Sequence, residues 1–371
     1  MMKRALLLLS LLAVPCVLSS YMAEAASSTD TATTTESPLD KLCRYWELVG
    51  YSEKEIKIFR AGYTGDTATL DKLNGGFLLN FYCMGAAAAG NKELVLKCLD
   101  KGADPDLGLY GAAYGGHMDI VQFMLDKGAT NYDWGLEGAA AGGHMDIVQL
   151  LLSKGATEYD WGLRCAALGG HMDIVQLMLS KGADPDRGLE GAALGGHMDI
   201  VQLMLDKGAT DYNSGLSDAA EGGHMDIVQL LLSKGATYYD LGLFGAALGG
   251  HMDIVQLMLS KGATNYDGGL HLAAKGGHMD IVQLLLSKGA TDYNYGLRGA
   301  AEGGHIDIVQ LMLSKGANPD WGLCGAAYRG HMDIVQLMLS KGANDLDSAL
   351  YAAMIHGHTE CAEFIRAAMK K

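Results

Sequence analysis

The sequence predicts an all-α solenoid of stacked helix-turn-helix repeats, and three observations carry that prediction. First, a phrase close to GAAxGGHMDIVQLMLSKGA recurs along most of the 371 residues. His117, His144, His171, His197, His224, His251, His278, His305 and His331 mark a step of 27 residues, twice shortened to 26. A fixed period between about 20 and 50 residues is the mark of units that bury a core only by stacking on their neighbours. Second, apolar residues within each repeat follow helical spacing in two runs separated by glycine. Third, most of the 51 glycines, against 5 prolines, fall at fixed points of the repeat, so they punctuate turns. A chain of this length ordinarily divides into two or three globular domains, but an array grows along one continuous core, and one elongated domain is expected.

Taken in order, residues 1–25 read as a secretory signal peptide: Lys3 and Arg4, an apolar run from Ala5 to Leu18 broken by Pro15, then Ala23-Glu24-Ala25. The run is too short for a spanning helix, which needs about 20 apolar residues, so no membrane insertion is expected after cleavage. Residues 26–38 are Ser, Thr and Ala with scattered acids, a composition that buries no core and predicts a flexible linker. Residues 39–84 are expected to form an N-terminal helical cap, with a possible eroded repeat at 61–76. The array itself spans 85–345, and 346–371 read as a capping repeat in which Glu360, Glu363 and Arg366 make the last helix more polar than its predecessors. Counting degenerate ends gives eleven or twelve repeats.

One repeat, Trp134 to Ala156, shows the local logic. Gly135–Ala141 is short and small, predicting a brief helix A that packs closely on others, and Gly142-Gly143 break it. From Met145 to Lys154 the polar Asp146, Gln149, Ser153 and Lys154 fall on one stripe while Ile147, Val148, Leu150, Leu151 and Leu152 fill the rest, predicting a mostly buried helix B. Asp146 suits its first turn, and Gly155 after Lys154 suits a left-handed C-terminal cap. Of the paired glycines, the first varies between repeats (Ala89, Arg329, His356) while the second persists, so only the second is expected to need a positive φ. Where Pro105, Pro185 and Pro319 occur, the connector is one residue shorter and lacks the tyrosine found at Tyr132, Tyr159, Tyr212, Tyr266 and Tyr293.

The run from Leu270-His271-Leu272-Ala273-Ala274 through Gly277-His278, Ile281-Val282 and Leu284-Leu285-Leu286 to Gly289-Ala290 resembles the ankyrin repeat, and the resemblance recurs from about Gly85 to Arg366. It implies a helix-turn-helix solenoid of ankyrin-like repeats that binds proteins. The usual repeat has about 33 residues; those absent here would make the β-hairpin finger, which argues against finger-mediated binding.

Because most positions are identical from repeat to repeat, specificity must lie in those that vary: the residue before Gly-Leu, the residue after it, and the residue after Ala-Ala. They stand at i, i+3 and i+7, on one face of helix A. They include Tyr110, Tyr114, Trp134, Glu137, Trp161, Arg164 and Arg187, then Glu190, Phe244, His271, Tyr295, Arg298, Trp321 and Tyr328. Three of the four tryptophans share one of these positions, and Trp, Tyr and Arg are the residues that most often carry interface energy. A partner protein bound along this strip is the expectation. By resemblance, helix A lines the partner-facing side. The alternative is a structural or elastic spacer whose strip is incidental.

Other chemistries have little support. A net charge of -15 with no Lys/Arg cluster excludes nucleic acid as an expected partner. The repeated histidines would stand about a helix spacing apart, near 10 Å, whereas metal ligands converge within about 2–2.6 Å of one ion; no metal and no cofactor are expected. Each His with the Asp two residues later lacks a nucleophile and a pocket, so no enzyme is expected, and the histidine is read as a turn element at the start of helix B. Of the cysteines beyond the signal, only Cys83 and Cys98, in the two helices of one degenerate repeat, are a plausible pair, and buried thiols acting as small apolar residues are the default reading. A secreted or periplasmic monomer is the resulting picture.

Overall fold

In the computed structural model, residues 53–73 and 75–370 are described; the readings for the signal peptide, the linker and the cap before Glu53 lie outside them. Twenty-four helices and no strands occur among the described residues. They alternate as pairs, a helix A followed by a helix B, and the chain divides into two compact bodies, one ending at Asp211 and one beginning at Tyr212.

In the N-terminal body the pairs begin with Glu53–Thr64 and Thr67–Lys72, followed by Phe77–Ala88 with Lys92–Asp100, and continue to Pro185–Gly195 with Met198–Asp206. In the C-terminal body they run from Tyr212–Gly222 with Met225–Lys234 to Leu346–Ile355 with Thr359–Ala368. Within each body, successive A helices lie side by side and each B helix packs on the A helix of its own repeat. The core is periodic but narrower than the sequence reading: of the five apolar residues in helix B, Ile147, Val148 and Leu151 are buried, while Leu150 and Leu152 are only half-buried. In the repeat 239–262 it is Leu243, Ala246 and Ala247 from helix A with Ile254, Val255 and Met258 from helix B, all fully buried.

Helix B of the sampled repeat runs Met145–Lys154, closed by Gly155 at φ 109°, a conformation that costs any residue with a Cβ. Helix A is longer than its composition suggests, Tyr132–Gly142. Asn131 caps it by accepting from the Trp134 amide at 3.1 Å, so the connector tyrosine belongs to the first turn. The prolines occupy the same place: Pro105, Pro185 and Pro319 open their helices, where a missing N–H costs nothing.

The first described pair is an eroded repeat with the same turn. Gly65 takes φ 80°, as the second glycine does elsewhere. Asp66 stands in the histidine's place and caps Thr67–Lys72 through the Ala68 and Thr69 amides. The pair is therefore Glu53–Lys72, beginning earlier than the 61–76 read from sequence; the polar surface of the first helix hid it. A Cβ on Gly85 would run into the Phe59 carbonyl oxygen, so this helix docks backbone to backbone on the next A helix.

Cys83 and Cys98, the one plausible pair from sequence, are free, buried thiols, with Cys83 hydrogen-bonded to Cys98 and held well above the usual thiol range by that bond and by burial; Cys165, a thiol by the default reading, is disulfide-bonded.

Candidate protein-binding face

The geometry of the A-helix face follows from two repeated devices that lock one repeat to the next. In the first, the histidine ring before helix B reaches back to the preceding repeat. His144 Nε2 lies 3.1 Å from the Tyr114 carbonyl oxygen, His171 Nε2 3.1 Å from that of Ala141, and His278 Nε2 3.0 Å from that of Leu248. A carbonyl only accepts, so Nε2 must carry the proton. The ring does not cap its own helix; it holds the last turn of the neighbouring A helix, one repeat further back than the sequence reading placed it.

The glycine pair makes room for this ring. A Cβ on Gly90 would stand 2.6 Å from the His117 ring, and one on Gly142 2.8 Å from that of His144; the second glycine of each pair also takes a positive φ, 78° at Gly143. Burial disfavours the charged imidazole and lowers the basicity of His171, His251, His278 and His305, with the backbone carbonyl opposing in part. At the last repeat the same causes, with nearby His356, His331 and Arg329, bring His358 down to about 4.

The second device was not read from sequence. The acid at the second position of helix A accepts from the connector of the following repeat: Asp133 Oδ1 from the Glu158 amide at 3.1 Å and from the Thr157 amide at 2.6 Å, Asp240 Oδ1 from Thr264 and Asn265 at 2.7 and 2.9 Å. Where proline follows, one donor is missing, and Asp160 takes only the Asp184 amide at 2.7 Å. The signal was present, because this position is Asp or Asn in every repeat from Asp106 to Asp347.

On this scaffold the three variable positions do fall on one side of each A helix, but their burial divides them. In the N-terminal body Tyr110 is core, clustered with Phe59, Phe81, Met84 and Leu107, while Tyr114 and Trp134 pack against that cluster half-buried. Glu137 is only 4% exposed, and burial, with the Asp133 and Glu158 carboxylates beside it, pushes its carboxyl up to about 8. Trp161 is half-buried under Arg164, whose guanidinium carbon lies 5.8 Å from the ring centroid. Arg164 Nε is 3.3 Å from Glu190 Oε2, an ion pair too poorly aligned to count as a hydrogen bond. Arg187 donates to the other Glu190 oxygen at 2.9 Å.

In the C-terminal body the face is more open. Trp321 is 44% and Tyr295 36% exposed, and Leu241, two repeats before Tyr295, is also open. Tyr295 stacks on His271, centroids 3.9 Å apart and planes 3° from parallel, and His271 Nδ1 donates to the Tyr295 carbonyl at 3.0 Å. That bond fixes the opposite tautomer from the repeated histidines. Arg298 donates to Glu302 at 2.8 Å, Phe244 and Tyr328 are half-buried, and Lys275 is made less basic by burial and by Arg329. His271 and Tyr295 thus touch across neighbouring repeats within this body.

The family profile for ankyrin repeats, in three copies, matches residues 83–160, 163–241, 216–296, 243–322 and 297–370. The chain belongs to the ankyrin-repeat family. Among solved structures it is similar to the ankyrin repeat domain of human ASB11, at 25% identity and a TM-score of 0.32, over 42% of this chain and 84% of that one. No curated protein matches it. Ankyrin repeats generally serve as protein–protein interaction scaffolds, and the A-helix face is where this array departs from its own repetition.

Proposed function

We propose that this ankyrin array is an exported scaffold that binds another protein through the A-helix face. The observation that carries the reading is the open Trp321, Tyr295 and Leu241 in the C-terminal body. They occupy a position that varies from repeat to repeat and that is open here, whereas in the N-terminal body the same position, at Leu107 and Trp134, packs in or against the core. Large aromatics left in water at variable positions favour a partner that desolvates them. Arg298, in the same body, adds charge of the kind that anchors interfaces. Export rests on the N-terminal pattern of a basic start, apolar run and small residues.

Two measurements test this. Cross-linking followed by mass spectrometry from the native host should capture a partner with the parent chain and lose it with Trp321→Ala/Tyr295→Ala/Arg298→Ala, while circular dichroism is unchanged. An unaltered capture pattern overturns the face and leaves the spacer reading. N-terminal sequencing of the chain from the exported fraction should begin at Ala26; an intact Met1 there, or a chain confined to the cytosol, overturns export.

A further inference from the structure

The last helix pair closes the C-terminal body with a face unlike any internal repeat. Along Leu346–Ile355 the open side is a stripe at helical spacing, Asp347, Tyr351, Met354 and Ile355, with Tyr351 67% and Met354 54% exposed. In the repeats before it, the position of Met354 is the second alanine of Ala-Ala, as at Ala247, Ala274, Ala301 and Ala327, and it is fully buried. Alanine there lets the next A helix approach closely. Methionine fills that space, so the face is not shaped for another repeat of the same kind. With three large apolar side chains in a row it is not built for water either, because the end of an array ordinarily turns polar.

The charges around the stripe say what fits it. Asp347 stands at one end. At the other, Arg366 reaches over from Thr359–Ala368, its Nη2 3.1 Å from the Met354 sulfur. An acid, an apolar middle and a base in line form a surface complementary to itself when turned end for end.

We propose that this face pairs with a second copy of the chain about a two-fold axis. The two Leu346–Ile355 helices run antiparallel, Asp347 of each copy faces Arg366 of the other, and each Tyr351 ring rests on Met354 and Ile355 of the other copy. A two-fold contact uses the same patch twice, so both ion pairs and both aromatic–sulfur contacts form together. The stripe is about 12 Å long, eight steps from Asp347 to Ile355 at about 1.5 Å rise. That is a small interface, so the dimer is weak and dissociates on dilution through roughly the micromolar range.

Sedimentation equilibrium of the full chain tests the pairing by charge reversal. The unmodified chain should approach twice the monomer mass as concentration rises. Asp347→Arg and Arg366→Glu should each lose at least tenfold in association, since both pairs become repulsive. An equimolar mixture of the two variants should recover it, because the mixed dimer restores both pairs. A parent chain monomeric throughout, variants that associate like the parent, or a mixture that stays monomeric overturns the proposal. All the substituted residues are exposed. Should a reversal nevertheless unfold by circular dichroism, Tyr351→Ala decides alone: weakened association supports the pairing and unchanged association refutes it.

Discussion

The ring of His278 is wedged between Gly250 and Gly276, and its Nε2 proton is spent on the Leu248 carbonyl of the preceding repeat. Removing it leaves that carbonyl without its donor and opens a gap against two glycines. His278→Ala is expected to cost about 1–3 kcal/mol in urea unfolding. The histidines also set a pH dependence whose sign follows from their lowered basicity. His171, His251, His278, His305 and His358 all take up a proton less readily when folded than the usual 6.5. The unfolded chain therefore binds protons first, and stability is complete above about pH 6.5 and falls as pH drops toward the folded value of about 4 at His358. Glu137 acts in the opposite sense. Its folded value of about 8 stands above the ordinary 4.5, so the fold loses stability as pH rises between the two. Glu137→Gln, which copies the neutral form, should match the parent near pH 4.5 and exceed it at pH 8, by at most about 4 kcal/mol. Thermal melts at the two pH values check both statements; a Gln variant with the parent's pH slope would sink the second.

At the scale of the element, the B helix was legible to the residue because its stripe, its first-turn acid and its closing glycine all agree. Helix A was legible in kind but short by a turn. Its start depends on Asn131 folding back on the Trp134 amide, and Asn, Tyr and Asp there read equally well as connector. The variable face could be assigned to one side of helix A from spacing alone. Which residues on it are open could not, because burial at Tyr110 depends on Phe59 and Phe81 from other repeats, and periodicity within one repeat is silent about neighbours. The same limit hid the aspartate clasp, whose partners lie 24 and 25 residues away. That clasp yields a graded prediction. Asp240→Ala frees two amides and Asp160→Ala only one, so the first should be the more destabilising. The expected costs are about 1–2 and about 0.5–1 kcal/mol, as these amides are open to water. Equal midpoints in urea for the two variants would show that the clasp is idle.

At the scale of the molecule, an array's stability is a sum of repeat and nearest-neighbour terms, and the last pair is poor in the first of these. It buries Ala349, Ala353, Cys361, Ala362 and Ile365, small side chains for the most part. The internal pair Tyr239–Lys261 buries Leu243, Ile254, Val255 and Met258 in addition to its alanines. At about 25 cal/mol per Å² of apolar surface, losing two or three branched or long side chains removes several kcal/mol from a unit of some twenty residues. Amides of 346–368 should therefore exchange with solvent through local opening, well before those of 239–261, which need the body to unfold. Pairing with a second copy would bind the closed form of this end and not the open one, so protection there should rise with protein concentration while protection at 239–261 stays constant. Hydrogen exchange read by mass spectrometry at two concentrations separates the ideas. Uniform protection across both segments contradicts the soft end, and a soft end indifferent to concentration contradicts the pairing while leaving the array's energetics intact.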